Sequence, residues 1–213
     1  PMGVAINEYK HVVGNKEKLK SKYGINSEFT LLFIGRLSEK KGVSYLIEAM
    51  SKIIFQANSN LIICGDGPLR KDLEQLVRKK NIEEFVKFAG YVSDSDKMDY
   101  LFLSDVLIVP SIVTQSGDTE GLPVVVLEGL AAGIPIIVSD VSGIKDVIIN
   151  GYNGFLVEPK NVEQIAEKAL DILKSQKLRT KLSKNALKTS KKYDWNVIAG
   201  KYIEIFRNIS IYN

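Results

Sequence analysis

Six short runs rich in apolar and β-branched residues punctuate this chain: Phe29–Ile34, Asn60–Cys64, Val86–Ala89, Val106–Val109, Ile134–Val138 and Phe155–Val157. Each is bounded by Gly, Pro, Asp or Ser, as strands are. Between them the apolar residues shift to helical spacing, with Val43, Leu46, Ile47, Met50, Ile53 and Ile54 on one stripe and Leu69, Leu73, Leu76 and Val77 on another. A strand that is apolar on both faces must be covered on both sides, and a helix-length connection returns the chain parallel to itself. The expected fold is therefore α/β, a Rossmann-like, doubly wound parallel sheet of about six strands with right-handed crossovers. From Asn161 to Ser210 the pattern is helical only. Ile165, Ala169, Ile172 and Leu173 form one stripe, and Tyr193, Val197, Ile198, Tyr202, Ile205 and Phe206 populate the last helix, so C-terminal helices follow the sheet. No linker or internal repeat interrupts residues 1–213, which are expected to form one domain. Ligands of such sheets bind beyond the carboxyl ends of the strands, so the loops there are the places to look for chemistry.

Composition narrows the function classes. With 45 % hydrophobic and 25 % charged residues the chain sits at the globular average, which excludes disordered and low-complexity readings. Its apolar stretches, such as Val124-Val125-Val126-Leu127, fall far short of the roughly 18 residues a membrane span needs. The opening carries no charged segment followed by an apolar one, and the single cysteine, Cys64, cannot pair within the chain, so a reducing, cytoplasmic location is expected. His11 is the only histidine; with one His and one Cys no His/Cys metal cluster can be built, and His11 is read as structural or exposed. Charge is uneven: residues 160–213 hold 12 Lys+Arg against 5 Asp+Glu, and the remainder 17 against 20. Lys174, Lys177, Lys181, Lys184, Lys188, Lys191 and Lys192 read as spread over several helical faces, a solvated surface rather than a nucleic-acid site.

Four loops stand where such a sheet would bind a ligand. After the first strand comes Gly35-Arg36-Leu37-Ser38-Glu39-Lys40-Lys41-Gly42. Cations beside a helix start suit a phosphate, and they equally suit a solvated basic loop. After the second comes Gly65-Asp66-Gly67-Pro68, a tight turn with Pro68 expected near the first helical position. After the third comes Gly90-Tyr91-Val92, where Tyr91 presents a flat ring to a ligand or packs. The fourth is Asp118-Thr119-Glu120-Gly121-Leu122-Pro123, followed by a helical run to Ala132, with Gly133 as the stop. Glu128 lies eight residues after Glu120. Were both on one helix, they would stand about 12 Å apart along it. That is wider than the pair of a glycosidase, at about 5–9.5 Å, and suits two contacts on one long ligand. The sequence has no Walker loop, and Gly65-Asp66-Gly67 lacks the third glycine of a dinucleotide fingerprint.

Together these loops resemble the nucleotide-sugar half of retaining glycosyltransferases with the GT-B fold, in family 4. Pro1-Met2-Gly3-Val4 looks like that half's opening, Gly35-Arg36-Leu37 with Lys41-Gly42 like its diphosphate loop, and Phe88, Gly90 and Val92 like its base-binding strand end. Ser104-Asp105-Val106, Pro110-Ser111 and the stretch from Gly117 to Glu128 resemble its Glu-x7-Glu region. The resemblance implies that Arg36, Lys41 and Glu120 carry the chemistry. By it, Arg36 and Lys41 neutralise the donor diphosphate, Glu120 touches the transferred hexose and Glu128 holds ribose hydroxyls. Gly35, Gly121, Leu122 and Pro123 complete the anion site, while Gly65, Gly67, Pro68, Tyr91 and Val92 flank the base. It implies no metal and no cofactor beyond the nucleotide-diphosphate sugar, and no nucleic-acid partner. A glycan or lipid-linked acceptor would be held by an N-terminal half outside this chain, with peripheral membrane association. Ser142-Gly143-Ile144-Lys145-Asp146 departs from the family's Gly-Ile-Pro-Glu turn. A non-catalytic nucleotide-sugar module and half of an epimerase-like enzyme are the alternatives.

Overall fold

A computed structural model describes residues 2–9, 16–141 and 143–210; His11, Pro1 and Ser142 lie outside the described residues. In order, the chain forms α1 (Ile6–Tyr9), α2 (Lys16–Tyr23), β1 (Phe29–Ile34), α3 (Val43–Ile53), β2 (Ser59–Cys64), α4 (Arg70–Lys79), β3 (Val86–Gly90) and α5 (Asp94–Leu103). It continues with β4 (Val106–Val109), α6 (Val124–Ala131), β5 (Ile136–Ser139), β6 (Phe155–Val157), α7 (Val162–Lys174), α8 (Gln176–Ser190) and α9 (Trp195–Ser210). The six strands pair in parallel in the order β3-β2-β1-β4-β5-β6. Strand order reverses between β1 and β4, where Leu31 stands opposite Val106. Such a switch point opens a crevice beyond the strand ends, the usual ligand position in this class of sheet.

Side chains alternate faces along each strand. Leu31, Phe33, Leu61, Ile63, Val106, Ile108 and Ile137 face α3, α4 and α7. Leu32, Ile62, Cys64, Leu107, Val109, Ile136 and Val138 face α1, α5 and α6. Both faces are buried, which is why the strands read as continuous apolar runs. Cys64 is fully buried and free, and burial pushes its thiol pKa up to about 12.

Several expectations shift by a few residues, each for a local reason. β5 starts at Ile136 rather than Ile134, because the Ile134 amide closes α6 by donating to Gly129 O at 3.0 Å while the Gly133 amide donates to Leu130 O at 3.1 Å. With Gly133 at φ +70° this is a Schellman stop. Pro68 lies two residues before α4, outside the helix, since Leu69 caps it. Lys174 ends α7 and Lys191 and Lys192 follow α8, so the seven lysines span several faces as expected, but the four within α8 share one. Lys177, Lys181, Lys184 and Lys188 recur at intervals of four, three and four, which at 100° per residue is a single exposed stripe of α8, away from buried Leu182 and Ala186. On α9 only Ile198 of the apolar set is buried, while Val197, Tyr202, Ile205 and Phe206 are exposed.

The loops beyond β1 to β4 are stitched together through backbone. Gly35 N donates to Cys64 O at 2.9 Å, Gly65 N to Gly90 O at 2.7 Å, Leu37 N to Asp66 O at 2.9 Å and Ile112 N to Lys40 O at 2.8 Å. A Cβ on Gly65 would stand 1.9 Å from Gly35 O, and Gly65 has φ +132°. Gly65→Ala is therefore expected to lower the unfolding free energy by more than about 2 kcal/mol. Gly24→Ala is expected to lose about 1 kcal/mol, the backbone penalty alone, because Gly24 has φ +66° and nothing within 4 Å of its would-be Cβ. Urea unfolding of both variants measures the difference.

Candidate functional site

The switch point is where the predicted cations and carboxylates meet. A 3₁₀ turn, Glu39–Lys41, follows β1, and Gly42 at φ +62° turns the chain into α3. Gly42 is packed so closely that a Cβ there would stand 2.0 Å from Pro110 O, in the loop after β4. That contact fixes the basic turn against the loop carrying Asp118 and Glu120. Lys41 Nζ lies 2.8 Å from Glu120 Oε2, with side-chain exposures of only 15 % and 12 %. Lys40 Nζ lies 3.3 Å from Asp118 Oδ1 and 3.9 Å from Glu120 Oε1. Two residues predicted to contact different parts of a ligand thus hold each other. An ammonium carries three donors and a carboxylate about four acceptor positions, so both keep capacity for a guest. Arg36 is exposed and makes no ion pair among the described residues.

Glu120 and Glu128 do not share a helix. Pro123 caps α6 and Val124 opens it, so Glu120 belongs to the preceding loop and the 12 Å geometry does not apply. The physical reason is the proline: it holds φ −65° and ψ 132° at the cap, an extended conformation that keeps the residues before it out of the helix. The exposed Gly121 and half-buried Leu122 lie between, backed by the turn after β5, where a Cβ on Gly143 would stand 3.2 Å from Gly121 C and 3.3 Å from Leu122 N. The departing Gly143–Asp146 segment is thus the support of this loop, and its Lys145 pairs with Asp140 at 3.2 Å.

Glu128 is 8 % exposed on an otherwise apolar helix. Lys97 Nζ of α5 lies 2.8 Å from its Oε1, and α1 packs against α6 so that the Tyr9 phenol feels the Glu128 charge. Burial lowers the basicity of Lys97, but the hydrogen bond and charge of Glu128, joined by Asp94, outweigh it and leave the pKa above the usual lysine value. Burial, then the charge of Glu128, raises the Tyr9 phenol well above its usual range. Neither Lys97 nor Tyr9 is legible from sequence as part of the site. Lys97 sits in the ordinary charged run Asp94-Ser95-Asp96-Lys97, and Tyr9 is distant in the chain.

The remaining predicted residues form the rim. Tyr91, at the end of β3, is 91 % exposed and so does not pack, while Val92 is half-buried against the α5 side of the core. Gly35, Gly65 and Gly67 are structural necessities of the stitched loops, and a Cβ on Gly67 would stand 2.5 Å from Leu37 O. Pro68 is exposed beside them. Three buried hydroxyls at this edge, Ser111, Thr119 and Ser139, have no hydrogen-bond partner among the described residues. A separate cleft of ≈ 690 Å³, lined by Ile6, Tyr9, Ala131, Leu187 and Lys191, shares only Tyr9 with the constellation. Among the described residues no group of acidic, His or Cys side chains is placed to hold a metal, and no helix is long and apolar enough to cross a membrane.

Comparison with known proteins agrees with this architecture. The family of glycosyl transferases group 1 matches residues 15–189. An uncharacterized glycosyltransferase of Methanocaldococcus jannaschii is 36 % identical over 184 residues, covering 85 % of this chain and 45 % of that protein. An Anabaena protein solved with UDP superposes with TM-score 0.87 at 24 % identity, covering 97 % of this chain and 56 % of that one. The C-terminal domain of a group 1 glycosyl transferase from Francisella tularensis superposes with TM-score 0.79 at 24 % identity, covering 91 % of this chain and 100 % of that domain. The chain spans about half the length of the curated relatives it matches. It belongs to the group 1 glycosyltransferases, and its six-stranded sheet is that of the C-terminal domain of a GT-B enzyme.

Proposed function

We propose that residues 1–213 are a single donor-binding domain, the half of a retaining glycosyltransferase that presents a hexose from a nucleoside-diphosphate sugar to a glycan or lipid-linked acceptor. The observation that carries this reading is the cation–carboxylate cluster of Lys40, Lys41, Asp118 and Glu120 at the strand-order switch point, with Arg36 beside it. In the transfer the bond from the anomeric carbon to the diphosphate oxygen breaks, and its electron pair leaves with the diphosphate. The acceptor hydroxyl bonds to that carbon and passes its proton to the departing diphosphate oxygen. Arg36 and Lys41 stabilise the departing charge, and fixed charges do this without reorganising as the reaction proceeds. Glu120, held by Lys41, accepts from hexose hydroxyls, the amides of Gly121 and Leu122 face the phosphates, and the Gly67 and Tyr91 loops border the base. Glu128 accepts from ribose. No metal and no further cofactor enters this scheme.

The bound molecules of similar proteins support a nucleotide-sugar ligand. The Anabaena protein has been solved with UDP-glucose, and a Mycobacterium tuberculosis relative, 24 % identical, is named a GDP-mannose-dependent mannosyltransferase of a phosphatidylinositol mannoside. Calorimetry against UDP, GDP, ADP and their sugars in the presence of EDTA is expected to find binding. No binding at millimolar nucleotide, or binding abolished by EDTA, would refute the reading. Lys41→Ala should weaken diphosphate binding by about 1.5–3 kcal/mol, the worth of a charge-assisted hydrogen bond, and leave nucleoside binding nearly unchanged.

The acceptor half lies outside this chain in our reading, and the exposed apolar residues of α9 are the surface it would cover. Holding two reactants in attack geometry is worth about 7–11 kcal/mol, so the domain alone is expected to transfer no sugar at a useful rate. A chain extended by the parent reading frame should do so with the anomeric configuration retained; product NMR decides. The same assay separates transfer from a non-catalytic binding module. We further infer cytoplasmic, peripheral attachment to an anionic membrane face through the lysine stripe of α8, each lysine near such a surface contributing about 1 kcal/mol. Co-sedimentation with phosphatidylglycerol vesicles, lost in high salt and in the Lys177, Lys181, Lys184 and Lys188 quadruple Gln variant, is the expected outcome. Equal sedimentation of both proteins would overturn it.

A further inference from the structure

We propose that Lys97 is the positioning residue for Glu128: it fixes the charge and the aim of that carboxylate so that acceptor positions remain for one vicinal diol. The proposal rests on the reading of Glu128 as the ribose contact. A carboxylate has about four acceptor positions. Lys97 takes one at 2.8 Å, so enough remain to accept from both hydroxyls of a 2′,3′-diol. Glu128 stands among Val125, Val126, Leu127 and Leu130, where an unpaired carboxylate would shed its charge by taking a proton.

Lys97 alone supplies the compensating charge among the described groups that face this carboxylate. From α1 comes Tyr9, neutral at ordinary pH, with Glu8 acting on that phenol; from α5 comes Lys97, with Asp94 acting on that ammonium. Asp94 also touches Lys97, at 3.2 Å, but its side chain is 99 % exposed, so water screens it and the buried Glu128 keeps the ammonium. Lys191 and Asp194 line the neighbouring cleft together with Tyr9, and neither pairs with Glu128 among the described ion pairs. Take away the ammonium and Glu128 is left buried with no compensating charge among the described groups. As pH falls it would gain a proton, becoming a donor where ribose needs an acceptor.

The experiment compares a ribonucleoside diphosphate with its 2′-deoxy analogue from pH 6 to 9, on wild type, Lys97→Met, Lys97→Arg and Glu128→Gln. Wild type is expected to prefer the ribonucleotide at every pH. In Lys97→Met the preference should decline as pH falls from 9 to 6, the direction in which a buried carboxyl that has lost its ammonium gains a proton. Lys97→Arg, which keeps the charge, should restore a flat profile. A residue that only packed α5 onto α6 would change stability without tilting that profile. Should Lys97→Met fail to fold, the nearly isosteric Lys97→Gln replaces it, and the ¹⁵N resonance of Lys97 Nζ in wild type serves as well, moving with the ribonucleotide and much less with the deoxy analogue. If wild type and Glu128→Gln discriminate equally, the ribose reading itself fails. Where wild type discriminates and Glu128→Gln does not, a flat Lys97→Met profile overturns the proposal and leaves the ribose reading standing.

Discussion

The insertion of β1 between β2 and β4 is the constraint on which the rest of this molecule depends. β1 pairs over its full length with β2, from Phe29 opposite Ser59 to Ile34 opposite Cys64, and with β4 on its other edge. A central parallel strand leaves no free edge, so the chain beyond Ile34 can only leave over the top of the sheet. It does so beside the loop after β4, into the crevice where strand order reverses. The close backbone approaches follow from that crowding, with Gly65 against Gly35, Gly67 against Leu37 and Gly42 against Pro110. Their glycines are a condition of the fold before they are a binding feature.

On that framework two carboxylates are held by two different ammonium groups. Glu120 is held by Lys41 from the turn after β1, and Glu128 by Lys97 from the helix after β3. Both pairs are largely shielded from water, where removing one partner costs more than the pair contributes, because the other is left charged and unpaired. The arrangement therefore orients rather than stabilises. Each carboxylate is locked in direction while keeping acceptor positions to offer. Arg36, which makes no ion pair among the described residues, adds positive charge to the same loop as Lys41.

How much of this could be read in the residues varies with range. The strands were legible because burial on both faces writes itself as short continuous apolar runs, and the α6 stop because Gly133 marks it. The basic loop after β1 is visible as a cluster of residue types, Arg36 and Lys41 between glycines, whereas the pairing of Lys41 with Glu120 is not. Pro68 was placed on the wrong side of a helix start, since whether a proline enters the first turn or precedes it depends on the loop it must meet, here Leu37. The α8 lysines read as scattered when taken with their neighbours across a helix boundary, and as one stripe once the boundary at Ser175 was known.

Local and periodic features are written along the chain: which segments are strands and helices, that the sheet is parallel and covered, and which loops lie at its carboxyl edge. Periodicity encodes burial, and burial is a property of neighbours along the chain. The tertiary structure alone decided who faces whom. Nothing in the chain near Glu128 announces Lys97 or Tyr9, and nothing near Lys41 announces Glu120, because these contacts join different crossovers. Their distances are set by the stacking of α5 and α6 on one face of the sheet and by the close approach of Gly42 to Pro110.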